Sequence, residues 1–73
     1  MGALPVVSGR EVVAALERAG WRLDRQRGSH MILVKPEAGR SISIPDHRTV
    51  AKGTLRQILR SSNITVDEFL GLL

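Results

Sequence analysis

His30 stands at the end of Gly28-Ser29-His30, between a basic run, Arg22 to Arg27, and an apolar run, Met31 to Val34. An imidazole titrates at about pH 6.5, so it can withdraw or supply a proton around neutrality. Set among cations at the mouth of a strand, it is placed for acid and base chemistry on an anionic substrate. Gly28 would let a backbone approach closely, although a plain turn needs it as much. Ser29 can donate a hydrogen bond to a phosphate or cap the strand. A second histidine, His47, lies in a polar loop after the third strand-like segment. It is the candidate for the complementary acid or base or for substrate contact, unless it is an exposed loop residue with no role.

The charge around these histidines is uneven. The 73 residues carry a formal net charge of +4, but Arg22 to Arg60 alone holds nine basic residues against three acidic ones. A cationic middle suits RNA, DNA or an acidic partner protein, and a merely solvated basic surface would look the same. Arg25, Arg27 and Lys52 are the candidates for phosphate contacts, with Arg56 and Arg60 behind them, since Lys52, Arg56 and Arg60 recur at four-residue spacing on one helical stripe. Trp21 and Phe69 are the only aromatic residues, which argues against single-strand recognition by base stacking. Cysteine is absent, and two histidines with Asp46 give no recognised ligand spacing, so neither a metal nor another cofactor is expected.

The elements that must hold these groups can be read in chain order. Residues 1–7, with Pro5, suggest a short tail ahead of a single domain at 8–73. Ser8-Gly9-Arg10-Glu11 has the form of a capping box and predicts a helix with Val12, Val13, Leu16 and Ala19 inward, stopped by Gly20. Trp21 to Gln26 alternates at its start, which predicts a strand with Trp21 and Leu23 toward the core and Arg22, Asp24 and Gln26 facing away. His30 to Lys35 is a strand apolar on both faces, with Ile32 and Val34 on the side of His30.

Pro36 to Gly39 is a turn, and Arg40 to Ile44 alternates cleanly before Pro45. The strands then form an antiparallel meander with the second strand central. Lys52 to Ser61 predicts a helix with Leu55, Ile58 and Leu59 inward. Thr65-Val66-Asp67-Glu68 is a second capping box, opening a short helix whose apolar side would be Val66, Phe69, Leu70 and Leu73. The order α-β-β-β-α-α is a two-layer α+β sandwich. Helices cover only one face of so small a sheet, so an apolar pair on the central strand is left for a partner or for a homodimer.

Several short blocks in this order resemble the HicA toxin family, also known as the YcfA-like family. They are Ala19-Gly20-Trp21 at the end of the first helix, R-x-x-G-S-H at Arg25 to His30, P-x-H at Pro45 to His47, and K-G-T-L-R-x-I-L at Lys52 to Leu59. The resemblance covers nearly the whole chain. It implies a fold like a double-stranded RNA-binding domain, with the helices on one face of a three-stranded antiparallel meander. It also implies the toxin of a type II toxin-antitoxin system that cleaves mRNA without a metal, an mRNA interferase with His30 as its catalytic histidine. A HicB-type antitoxin would cover that active site.

In such a reaction RNA supplies its own nucleophile, the 2′-hydroxyl, and His30 would withdraw its proton or protonate the leaving 5′-oxygen. The alternatives are a non-catalytic double-stranded RNA-binding module or an interaction adaptor of the same fold. The chain has no apolar run long enough for a membrane span, and Met1 to Val7 lacks the regions of a signal peptide, so a cytoplasmic location is expected.

Overall fold

Ser8 opens the first helix. Its hydroxyl accepts a hydrogen bond from the Glu11 amide at 3.1 Å, and the Glu11 carboxylate accepts one from the Ser8 amide at 2.8 Å, so the capping box closes from both sides. In this computed structural model, which describes residues 3–73, α1 (Gly9–Arg18) leads through Gly20, at φ +100°, into the sheet. There β1 (Arg22–Arg27), β2 (His30–Lys35) and β3 (Arg40–Pro45) pair antiparallel in the order β1-β2-β3. Then α2 (Lys52–Ser62) and α3 (Val66–Leu72) follow, the latter opened by a closed capping box between Thr65 and Glu68. The fold is the expected α-β-β-β-α-α arrangement.

One face of the sheet carries the core. Met31 and Leu33 of β2 and Ile42 and Ile44 of β3 are buried against Val12 and Leu16 of α1, Leu55, Ile58 and Leu59 of α2, and Phe69 of α3. Three basic side chains serve this packing. Lys35 donates to the Ala19 carbonyl at the end of α1 (3.3 Å), Arg40 to the Ser61 carbonyl in the last turn of α2 (2.9 Å), and Arg18 to the Leu72 carbonyl of α3 (2.6 Å). Each satisfies a carbonyl that the helix end leaves free, and each puts positive charge at the negative end of a helix dipole.

Three expectations are corrected. Leu23 is 46% exposed although it lies opposite buried Leu33, so this position on the edge strand β1 is left outside the core. The register also slips between Leu23 and Arg25, a bulge at Asp24. An extra residue in one strand reverses the alternation beyond it, so Arg25 rather than Gln26 shares the face of Arg22. In α3 the inward row is Val66, Phe69 and Leu72, while Leu70 and Leu73 are 38% and 49% exposed. Residues 1 and 2 of the expected tail lie outside the described residues, but Leu4 and Val7 pack into the core, and the Val7 carbonyl accepts from the Val50 amide at 2.8 Å.

Candidate active site

The Gly28-Ser29 turn places His30. Gly28 has φ +57°, the sign required at the first central position of a two-residue type II′ hairpin, and a Cβ there would meet open space, so the demand for glycine comes from the backbone conformation alone. The turn sets Arg27 opposite His30, and across β2 the partner of His30 is Pro45. The Ser29 carbonyl accepts from the Asp46 amide at 2.7 Å, which ties the hairpin mouth to the end of β3.

The loop of His47 is fixed from below by α1. The His47 carbonyl accepts from the Gly9 amide at 2.9 Å. A Cβ on Gly9 would lie 2.0 Å from the Pro45 carbonyl oxygen, so only glycine lets the first turn of α1 rest on the end of β3. Asp46 joins three elements here. It accepts from the Arg10 guanidinium at 3.3 and 3.4 Å and from the Gln26 side-chain amide at 3.0 Å. The Arg10 hydrogen bond, aided by that from Gln26, holds the Asp46 carboxyl below its ordinary 3.8 in spite of partial desolvation.

Residues paired across neighbouring strands share a face. The face away from the helices therefore carries His30, Ile32 and Val34 in the centre, Arg22, Arg25 and Arg27 along β1, and Ser41 and Ser43 along β3. Ile32 and Val34 are half-buried rather than bare. His30 is exposed, and its Nδ1 lies 3.2 Å from Ser43 Oγ. A groove of about 450 Å³ is lined by both histidines together with Ser43, Pro45, Thr49 and Thr54, and a shallower depression of about 430 Å³ by Arg27, His30, Ile32 and Ser43.

Of the residues singled out in the sequence, Gly28, Ser29, His30, Arg25, Arg27 and His47 therefore gather at one end and one face of the sheet. Lys52, Arg56 and Arg60 do not line these grooves. At about 3.6 residues per turn they fall on one flank of the buried stripe of α2, whereas Thr54, Gln57 and Ser61 form the other flank, against β3. A hollow of about 430 Å³ at the far end of the sheet, lined in part by Trp21, Lys35 and Arg40, holds cations already engaged at helix ends. Among the described residues no group of three or more histidine, cysteine or acidic side chains is close enough to hold a metal.

Sequence reasoning passed over Arg22, Ser43 and Gly9. Ser43 was within reach, because the clean alternation of Arg40 to Ile44 and the central strand's pairing put it on the face of His30. Arg22 gains its company only through the bulge at Asp24, and a bulge leaves no mark in hydrophobic alternation.

Fold and site together define a small α+β domain whose helices cover one face of a three-stranded sheet while a histidine and a row of arginines occupy the other. A family model described as "HicA toxin of bacterial toxin-antitoxin" matches residues 9–64, which takes in the first helix, the whole sheet and α2. The chain belongs to the HicA toxin family. The search for similar curated proteins found no match. No helix among the described residues is long and apolar enough to cross a membrane.

Proposed function

We propose that this toxin is a ribonuclease that cleaves mRNA by acid and base catalysis at His30, with its substrate laid over the open face of the sheet. The observation that supports this most is the placement of His30 on an arginine-bearing face, in a groove that it shares with His47.

The 2′-hydroxyl of RNA attacks the adjacent phosphorus once His30 takes its proton. The P–O5′ bond breaks, the leaving 5′-oxygen receives a proton, and the products are a 2′,3′-cyclic phosphate and a 5′-hydroxyl. His47, which lines the same groove, is the donor of that second proton. Arg27 and Arg25 meet the phosphate and offset the charge that grows on it, which is worth most in the transition state. Gly28 and Ser29 hold the turn that presents His30.

The antitoxin partner of such a toxin, a HicB-type protein, would act by covering this groove. A homodimer through the same surface would cover His30 and compete with RNA for it. Cytoplasmic mRNA fits a toxin of this kind.

The test uses purified protein with an RNA and its 2′-O-methyl counterpart, with and without a chelator. The wild type is expected to cut only the unmodified RNA, in both conditions, leaving cyclic phosphate ends. His30→Ala is expected to lose about 10²- to 10⁴-fold in rate while keeping its circular dichroism and its affinity for the methylated strand. Cutting by His30→Ala at the wild-type rate would remove His30 from the chemistry. RNA binding without cutting by the wild type would make the domain a binding module.

A further inference from the structure

We infer that Ser43 is a positioning residue for His30: its hydroxyl accepts from Nδ1–H and so leaves Nε2 as the nitrogen that takes the proton. This rests on the ribonuclease reading of the site.

The geometry comes from the register of β2 and β3. His30 is paired with Pro45 and Ile32 with Ser43, so Ser43 is the diagonal neighbour of His30 on the open face. A diagonal neighbour is within reach of a long planar side chain, and here Oγ and Nδ1 lie 3.2 Å apart. Position 45 is proline, so no side-chain hydroxyl or amide stands directly opposite His30. Ser43 also lines both hollows that His30 lines, so it stands beside the imidazole from either approach.

The sense of the hydrogen bond follows from the chemistry. A neutral imidazole carries its proton on one nitrogen and accepts at the other. If Ser43 donated to Nδ1, the proton would sit on Nε2, and the side of the ring turned from Ser43 could not act as a base. If Nδ1–H donates to Ser43, Nε2 is free, and the same hydrogen bond persists after Nε2 has taken the proton from the 2′-hydroxyl. The arrangement therefore serves both charge states of the ring without a rotation, and it selects the tautomer that a general base needs. Ser43 is exposed, so replacing it does not open a cavity in the core.

The experiment combines ¹⁵N chemical shifts of the His30 ring with single-turnover cleavage, for the wild type, Ser43→Ala and Ser43→Thr. The neutral wild-type ring is expected mainly as the Nδ1–H tautomer. Ser43→Ala should drift toward the Nε2–H form favoured by a free histidine side chain and cleave about tenfold more slowly. Ser43→Thr keeps the hydroxyl and should restore both. If the wild type cleaves, and Ser43→Ala matches it in tautomer and rate, the inference fails while the ribonuclease reading stands. If no variant cleaves but the tautomer shifts as described, the tie between Ser43 and His30 stands and the reading of the function fails.

Discussion

Two rows of three cations cross this molecule, Arg22, Arg25 and Arg27 on β1 and Lys52, Arg56 and Arg60 on α2, and they differ in what stands beside them. The β1 row shares a sheet face with His30. The α2 row lies across the buried stripe of its helix from the flank that meets β3 and the groove. A third set, Arg18, Lys35 and Arg40, is engaged at helix ends. Charge alone does not mark a site. The same residue type caps a helix, solvates a flank or faces a substrate according to which surface the backbone gives it. Arg25 also pairs with Asp24, but an exposed pair of that kind is worth about 0–1 kcal/mol and leaves the guanidinium free to exchange partners.

The comparison is broken or upheld most directly by neutralising one row at a time. Binding of a 2′-O-methyl RNA across a range of salt concentrations should weaken by about tenfold in Arg25→Gln/Arg27→Gln. Its log-log salt slope should fall by about 1.4, or roughly 0.7 for each phosphate contact on a single strand. Lys52→Gln/Arg56→Gln/Arg60→Gln should change the slope little. The reverse result would move the RNA track from the sheet to α2.

The sequence showed the α2 cations as one stripe but not the β1 cations as one row, and the reason is physical. Four-residue spacing on a helix is visible in the chain, and both capping boxes, at Ser8 and Thr65, and the inward row Leu55, Ile58 and Leu59 were legible for the same reason. His30, too, could be placed, since Gly28-Ser29 makes a tight turn and the strand after it is unmistakable. Strand faces were less legible where the register slips. Asp24 takes no part in the alternation, so the faces of Arg25 and Gln26 came out exchanged. The proximity of His47 to His30 depends on a loop held by Gly9 and Val7, residues far away in the chain. Their role is a tertiary contact with no local pattern.

Gly9→Ala separates the second histidine from both cation rows. The added methyl cannot fit beside the Pro45 carbonyl, so α1 or the end of β3 must give way. Overpacking of this kind costs about 1–3 kcal/mol, and in a domain of this size each kcal/mol lowers Tm by roughly 4–8 °C. The loop of His47 hangs from the Gly9 amide, so cleavage should fall below the wild-type rate at a temperature where the variant is folded, while the salt slope set by β1 is kept. A thermal melt unchanged within a degree or so would mean that the contact yields at little cost and that His47 is held by other means.

A smaller effect concerns the end of β1 where Arg27 meets His30. Gln26 reaches across the other face to Asp46, which also binds Arg10, so one carboxylate links β1, α1 and the His47 loop. Its pKa is lowered on folding, chiefly by the Arg10 hydrogen bond. The stabilisation is therefore present above the ordinary value of 3.8 and is lost as the pH falls through the lower folded value. Glu68, lowered by the amide and hydroxyl of Thr65, behaves in the same sense and contributes to the same acid limb. In melts from pH 7 down to about pH 2, Asp46→Asn should lose less Tm on acidification than the wild type, and Asp46→Asn/Glu68→Gln less still. At neutral pH Asp46→Asn should start slightly lower, because the ion pair with Arg10 is gone while an amide oxygen can still accept from Gln26. Acid limbs that superimpose for wild type and Asp46→Asn would show that the carboxylate does not tie the three elements together, and Arg27 would then owe its place opposite His30 to the Gly28-Ser29 turn alone.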